Sequence, residues 1–304
     1  MATTTTTDVK LSALPPATGR AGMRGVIASE FTKLRSVRST YWTIGALLIL
    51  SVGLAAAIGA GAASDLHNNP QDKAAFDATQ TSLAIFFYLG QLIIAVLGAM
   101  AITSEYSTGM IRTSLTAMPR RGTLFTSKLA VFTGVALVVS LVTSFLAFFV
   151  GQAVLSGTGV SASLFHSTTV PTNANVTPHS VTFIGTTVIS SGTVLTAIIG
   201  TALFVTMAAV IAFGLGAIIR HTAGAIASAI GLLFVLPIIL QLLPSTWRND
   251  LTRFFPDAAG RVLSATVGQP DQHLWSGWPQ FAVTVIWALV FVGIGGYLFR
   301  NRDA

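Results

Sequence analysis

Charged residues and cysteine are scarce in this chain of 304 residues. Only 9% of the residues are charged and 52% are hydrophobic, whereas about a quarter of an ordinary globular protein is charged. The absence of cysteine excludes disulfides, thiol chemistry and cysteine metal sites, but it does not fix the compartment. The uncharged windows exceed the ~20 residues that cross a bilayer, which excludes a soluble globular chain and indicates a polytopic membrane protein.

Signatures of catalysis and of nucleotide binding are also missing. No glycine-rich loop ends in Lys-Ser or Lys-Thr, so the chain has no phosphate cradle of its own. No His and acid accompany the many serines as a triad, and His166 and His179 are isolated in one polar loop. We therefore expect no catalytic residue, no metal site and no cofactor on this chain.

The chain divides into a polar tail and one all-α membrane domain. Residues 1–22 are rich in Thr and lack an apolar core, so we expect a disordered tail and not a signal peptide. Residues 23–304 form the membrane domain. Its six predicted spans cover about 41–63, 83–103, 129–155, 183–219, 223–243 and 279–299. The fourth exceeds the length that a bilayer requires, so tilting, bending and projection from the membrane all remain open.

Basic residues predict the orientation. With a cytoplasmic N-terminus, the inner segments hold thirteen Lys and Arg and the outer segments hold four. This distribution follows the positive-inside rule, so both termini are expected in the cytoplasm. The net charge of +7 then reflects membrane topology, and no nucleic-acid partner is expected. The predicted spans carry essentially no ionisable residue, which argues against proton-coupled or ion-coupled transport.

The segment 23–40 has the pattern of an amphipathic helix lying on the membrane surface. Basic residues such as Lys33 and Arg35 lie off its apolar arc, whereas Glu30 falls inside it. Glu30 could pair with Lys33 or Arg38 at the headgroup boundary, or contact a cytoplasmic partner. The arc spans about 140° and contains Met23, Val26, Ile27, Phe31, Leu34, Val37 and Tyr41.

A polar stretch, residues 105–128, separates the second and third predicted spans. We predict a helix from Glu105 to Met118, because Thr103 and Ser104 can cap its start and Pro119 disfavours helix before it. One half of this helix is apolar. The other half carries a polar stripe of Glu105, Thr108, Arg112 and Thr116. The stretch could contact a soluble partner, or it could be a hairpin whose charges only set topology.

Two segments resemble the permease family of type-2 ABC exporters. Residues 29–39, Ser-Glu-Phe-Thr-Lys-Leu-Arg-Ser-Val-Arg-Ser, resemble the family's elbow helix before the first span. Residues 105–112, Glu-Tyr-Ser-Thr-Gly-Met-Ile-Arg, resemble its cytoplasmic coupling helix, together with Leu115-Thr116, Pro119-Arg120-Arg121 and Lys128. The six-span layout with both ends inside also matches. The resemblance covers nearly all of the chain after residue 22.

The resemblance implies a bacterial exporter permease in the cytoplasmic membrane, with a second identical or homologous permease and two ATP-binding cassette ATPase subunits. MgATP would bind only to those subunits. The implied interfacial-helix residues are Glu30, Lys33, Arg35 and Arg38. The implied ATPase-coupling residues are Glu105, Thr108, Gly109, Arg112, Thr116, Pro119, Arg120 and Arg121.

The resemblance also suggests that spans two and five line the substrate path, although lipid contact of the aromatic residues and packing of the glutamines would explain these residues more simply. The candidate path residues are Phe86, Phe87, Tyr88, Gln91, Phe234 and Gln241. Two other functions are compatible with a multi-pass membrane chain. One is a non-transporting membrane scaffold or sensor subunit. The other is a membrane-embedded hydrolase, for which the sequence offers no catalytic cluster.

Overall fold

Each of the six predicted spans contains a membrane-length helix in the computed structural model. It describes residues 23–117, 121–165, 167–171, 182–183, 186–189, 191–267, 274–275 and 277–301. The predicted tail of residues 1–22 lies outside the described residues, as do Pro119, Arg120, His166 and His179.

Among the described residues, six helices are long and apolar enough to cross a membrane, which confirms the predicted multi-pass class. They cover Arg38–Asn68, Ala78–Ser107, Arg121–Thr158, Gly192–Ile219, Thr222–Gln241 and Trp278–Asn301. We refer to them as spans one to six.

In finer detail, the spans contain several helices and are joined by shorter ones. The helices are α1 (Met23–Ser36), α2 (Arg38–Asn68), α3 (Ala78–Ile85), α4 (Gln91–Ser107), α5 (Met110–Ala117), α6 (Arg121–Leu155), α7 (Ser191–Ile219), α8 (Thr222–Ile230), α9 (Leu236–Gln241), α10 (Ser245–Thr252), α11 (Asp257–Ser264) and α12 (Trp278–Asn301). Short 3-10 turns occur at Pro70–Ala75 and Ser156–Thr158.

The described residues confirm the predicted all-α class except in one loop. Three short strands, β1 (Thr168–Pro171), β2 (Thr182–Phe183) and β3 (Thr186–Ile189), form an antiparallel sheet in the order β1-β3-β2. The predicted fourth span therefore started too early, because residues 183–189 include strand residues and the helix begins at Ser191. This segment is rich in Thr and β-branched residues, which favour strands over helices.

Spans two and five are each interrupted by a π-helical turn. The turns cover Phe86–Gly90 in span two and Gly231–Val235 in span five. In span five the turn directly precedes Pro237, which has no backbone N–H to donate to the preceding helical turn. Such turns inside helices often lie at functional sites.

Span four, formed by α7, is the central helix of the bundle. In its most apolar window 78% of the residues are buried, against 17–56% in the other spans. Glycine lets its neighbours approach closely. A Cβ at Gly98 of α4 would lie 2.3 Å from the carbonyl oxygen of Ala209 in α7, and one at Gly214 of α7 would lie 2.7 Å from the backbone of Phe291 in α12. Small residues at such crossings are how membrane helices gain packing contacts.

The connections define two ends of the bundle. We call the end where α4 runs into α5 the α5 end, and the end where α9 runs into α10 the opposite end. At the opposite end, Asp77 caps α3 and also accepts hydrogen bonds from the backbone N–H groups of Thr266 and Val267. Gln280 of α12 donates to the carbonyl oxygen of Arg253 at 2.7 Å. These bonds join α10 and α11 to the spans.

Candidate functional site

Four charged side chains meet at the α5 end of the bundle. They are Glu30 and Lys33 of α1, Glu105 of α4 and Lys128 of α6, and we call them the four-charge cluster. Lys128 Nζ lies 2.5 Å from Glu30 Oε2 and 2.7 Å from Glu105 Oε1. Lys33 Nζ lies 2.8 Å from Glu30 Oε1 and 3.4 Å from Glu105 Oε1. Two carboxylates and two ammonium groups thus form one neutral network across three helices.

Lys33 connects the cluster to α5. Besides the two carboxylates, its ammonium group donates a hydrogen bond of 3.2 Å to Ser114 Oγ, so its three protons have three acceptors. Lys128 donates to both carboxylates and lies inside the bundle, with its side chain 7% exposed. The cluster therefore joins α1, α4, α5 and α6 through side chains alone.

In the cluster, burial and the neighbouring charges shift the pKa values in opposite directions. Burial raises the pKa of the Glu30 carboxyl, but the ammonium groups of Lys128 and Lys33 outweigh it and lower that pKa below its ordinary value. Burial lowers the pKa of Lys33, but the carboxylates of Glu30 and Glu105 outweigh the effect of burial and raise that pKa above its ordinary value. Both residues are therefore held in their charged forms. Glu105 Oε2 is buried and accepts no hydrogen bond from the described residues.

The sequence predicted only part of this arrangement. The predicted pairing of Glu30 with Lys33 is confirmed. The position of Glu30 at the headgroup boundary stays a prediction, and its side chain is 2% exposed and packs inside the bundle. The partner Lys128 was missed, since α6 begins at Arg121 and carries Lys128 into the span. The sequence did contain a signal for this ion pair. Lys128 directly precedes an apolar run, and the carboxylate of Glu105 lies just after the preceding predicted span.

The predicted helix from Glu105 to Met118 is two helices. α4 continues to Ser107, so Glu105 lies in its last turns and not at a new helix start. The chain then breaks at Thr108 and Gly109, where Gly109 has a φ of +70°, a conformation that glycine adopts at little cost. α5 begins at Met110 and ends at Ala117. Thr103 does not cap a helix either, because its hydroxyl donates to the carbonyl of Ala99 within α4.

This break changes the predicted polar stripe. Glu105 is 6% exposed and faces the cluster, so it is not on the same surface as Thr108 and Thr116, which are exposed. On α5 the side chain of Ile111 is buried against the bundle. The surface of the turn and of α5 is therefore polar and uncharged at Ser107, Thr108, Gly109, Thr113 and Thr116. Arg112 lies on α5, but its side chain is outside the described part of the structure. Arg121 is the first residue of α6.

α1 buries Glu30 and exposes several of its apolar side chains. Val26 and Glu30 are its buried residues, and Met23 at its start contacts Ser127 of α6. The apolar side chains Met23, Ile27 and Phe31 are 51%, 39% and 50% exposed. Exposed apolar groups on a helix beside the spans fit a position in the membrane interface. The interfacial role of Arg35 and Arg38 stays a prediction, and both side chains are exposed.

Arg220 links three spans at the same end. It occupies the turn between α7 and α8 with a φ of +61°. Its guanidinium donates to the carbonyl of Leu298 in α12 and lies 5.1 Å from the ring centre of Tyr106 in α4. Thr222 of α8 also donates to Thr103 of α4 at 3.1 Å. The α5 end is therefore connected to spans four, five and six.

The predicted substrate-path residues do not come together. Phe86, Phe87 and Gln91 are at most 2% exposed, so within this chain they line no open path. Tyr88 is half-exposed, and Phe234 packs against the cluster of buried residues around α7. The sixth, Gln241, lines a separate cleft at the opposite end. Their role in a substrate path stays a prediction.

The comparisons with known proteins identify the family. The family model described as "ABC-2 family transporter protein" matches residues 25–304. No curated protein matches the chain. The match spans both α1 and α5 and all six spans. This chain therefore belongs to the ABC-2 transporter family, as a multi-pass membrane permease component of an ABC transporter.

Proposed function

We propose that this chain is the permease of an ABC exporter and that a separate ATPase subunit drives it through α5. The family implies an assembly with ATPase partners. In the proposal, two ATPase subunits bind MgATP, and a second identical or homologous permease completes the assembly. The α5 end lies in the cytoplasm with both termini, in the cytoplasmic membrane of a bacterium. Export is the direction that the family resemblance favours.

The observation that carries the proposal is the four-charge cluster. α5 is a short helix joined to span two by the glycine turn at Gly109 and to α1 by the bond between Lys33 and Ser114. A push on α5 would therefore reach α1 through Lys33, and spans two and three through Glu105 and Lys128. Charged hydrogen bonds are shorter and stronger than neutral ones, so the helices would move together.

The ATPase contact is assigned to the uncharged polar surface of the turn and α5. Thr108, Gly109 and Thr116 keep the coupling role predicted from the sequence, with Arg112, Pro119, Arg120 and Arg121 beside them. Glu105 takes a different role in the proposal, because its buried carboxylate transmits the movement and makes no contact with the ATPase. ATP binding on the partner would then shift the permease between inward-facing and outward-facing states.

The absence of cysteine makes the proposal testable by site-specific labelling. A spin label at Ser36→Cys, at the exposed end of α1 and outside the surface assigned to the ATPase, would report the distance between the two permeases of the reconstituted complex. We expect ATP to change this distance. Glu105→Gln removes the carboxylate charge and preserves the side-chain shape, so it should reduce the change and the ATPase turnover. The control is Asp65→Asn, which removes an exposed carboxylate at the other end of α2.

Two results would contradict the proposal. If no ATPase subunit co-purifies with the chain, the assembly is wrong. If Glu105→Gln shows the same ATP-dependent distance change and turnover as Asp65→Asn, the cluster does not transmit the movement. Arg112→Glu addresses the docking surface separately and should weaken ATPase binding while expression is unchanged.

A further inference from the structure

A polar cleft lies at the opposite end of the bundle from the four-charge cluster. It is formed by the end of span five together with α10 and α11 and has a volume of about 340 Å³, which is in the range of small-molecule sites. Leu240, Phe255 and Leu274 supply apolar walls, and Arg248 and Asn249 supply polar groups from α10. The cleft therefore offers both an apolar and a polar surface to one ligand.

The charged side chains that line the cleft, among the described residues, leave one net positive charge. Its floor holds Asp257, 8% exposed, and Arg261, which pairs with it at 3.1 Å. Arg248 also lines the cleft, and among the described residues no carboxylate lies within ion-pair distance of it. The nearby Asp250 pairs with Arg253 instead. Residues 245–264 contain three arginines and two aspartates, so one positive charge is left, and it belongs to Arg248.

Aromatic side chains place the cleft at a membrane boundary. Trp247, Phe254 and Trp278 are 65%, 52% and 52% exposed, and Trp and Tyr are enriched where lipid headgroups meet the hydrocarbon core. Trp278 begins span six, and Gln241, at the rim of the cleft, ends span five. A ligand in the cleft would therefore have water on one side and acyl chains on the other.

We propose that this cleft binds the anionic headgroup of an amphiphile, a phosphate or carboxylate attached to an apolar chain. Arg248 is the charged contact, and its planar guanidinium suits the two oxygens of such a group. The apolar part lies against Leu240, Phe255 and Leu274. Asp257 already has a counter-ion in Arg261, so it does not neutralise Arg248. The source of the amphiphile is either a bilayer phospholipid or a free single-chain anion.

The test measures binding to the full-length chain in nonionic detergent by microscale thermophoresis. Two anionic probes are used, dioctanoyl phosphatidylglycerol and dodecyl phosphate, each with its phosphocholine counterpart of the same chain length as the zwitterionic control. We expect tighter binding of at least one anionic probe than of its counterpart. Arg248→Gln should weaken that binding roughly tenfold or more, since a charge-assisted hydrogen bond is lost.

Matched variants separate the site from general charge. Arg253→Gln removes a neighbouring arginine that does not line the cleft, and binding should be unchanged; Arg248→Lys keeps the charge and should lose less affinity than Arg248→Gln. If only dioctanoyl phosphatidylglycerol binds tightly, the site is assigned to a phospholipid. If only dodecyl phosphate binds tightly, it is assigned to a single-chain anion. Equal affinity for anionic and zwitterionic probes overturns the proposal, and so does an equal effect of Arg248→Gln and Arg253→Gln.

Discussion

Replacing Lys128 with methionine should destabilise the bundle strongly. The change preserves most of the side-chain volume and removes one ammonium group that lies 2.5 Å from Glu30 and 2.7 Å from Glu105. The cluster then passes from neutral to one net negative charge. Removing one partner of a buried ion pair costs about 3–5 kcal/mol, because the remaining charge is left uncompensated. The unfolding equilibrium constant should therefore rise by roughly two to three and a half orders of magnitude.

A matched substitution at the other lysine gives the comparison. Lys33 makes two ion pairs as well, but its side chain is 34% exposed, and without it Lys128 would still contact both carboxylates. Exposed pairs contribute about 1 kcal/mol or less, so Lys33→Met should have a much smaller effect. The measurement is the free energy of unfolding by sodium dodecyl sulfate in mixed micelles, for both variants and the unsubstituted chain.

A double substitution tests whether the cost arises from unpaired charge. Lys128→Met combined with Glu105→Gln leaves one carboxylate, on Glu30, and one ammonium group, on Lys33, so the cluster is neutral again. The double variant should be more stable than Lys128→Met alone, since neighbouring residues do not act additively. The reasoning is refuted if Lys128→Met costs no more than Lys33→Met, or if the two single effects simply add.

Two further predictions concern pH and packing. The pKa of Glu30 is lowered in the folded chain, so its stabilising effect is full above the ordinary pKa of 4.5 and is lost as the pH falls through the lowered value. Thermal unfolding followed below about pH 4.5 should therefore show a smaller loss of stability for Glu30→Gln than for the unsubstituted chain; equal losses would contradict this. Gly98→Ala should destabilise by about 1–3 kcal/mol, because the new Cβ would lie 2.3 Å from the carbonyl oxygen of Ala209. The control Gly134→Ala meets no atom within 4 Å and should be neutral or slightly stabilising; equal unfolding free energies of the two variants would refute the packing argument.

The number and approximate positions of the spans could be predicted from the sequence, because each span must bury about 20 consecutive apolar residues in lipid whatever its neighbours are. The amphipathic pattern of α1 could also be predicted, because it depends only on the spacing of apolar residues along one helix. The start of span four was wrong, since the apolar run of α7 continues into Thr-rich residues that pair as strands. Hydropathy does not distinguish these two conformations.

Local signals were weaker around α5. Pro119 predicted a helix end at Met118, because proline restricts the residue before it; α5 ends at Ala117, and Met118 lies outside the described residues. The start at Glu105 was wrong, since Thr103 and Ser104 are good caps in isolation but lie within a continuous helix here. The actual break is at Gly109, where a positive φ is accessible to glycine.

The sequence by itself determined the membrane class, the six spans and the polar stretch between spans two and three, since these depend on the hydrophobicity and turn chemistry of neighbouring residues. Only the tertiary structure decided what the charges of that stretch do. Glu105 and Lys128 are 23 residues apart, and Glu30 and Lys128 are 98 apart. Their pairing depends on how α1, α4 and α6 pack, and an ion pair becomes strong only when that packing removes it from water.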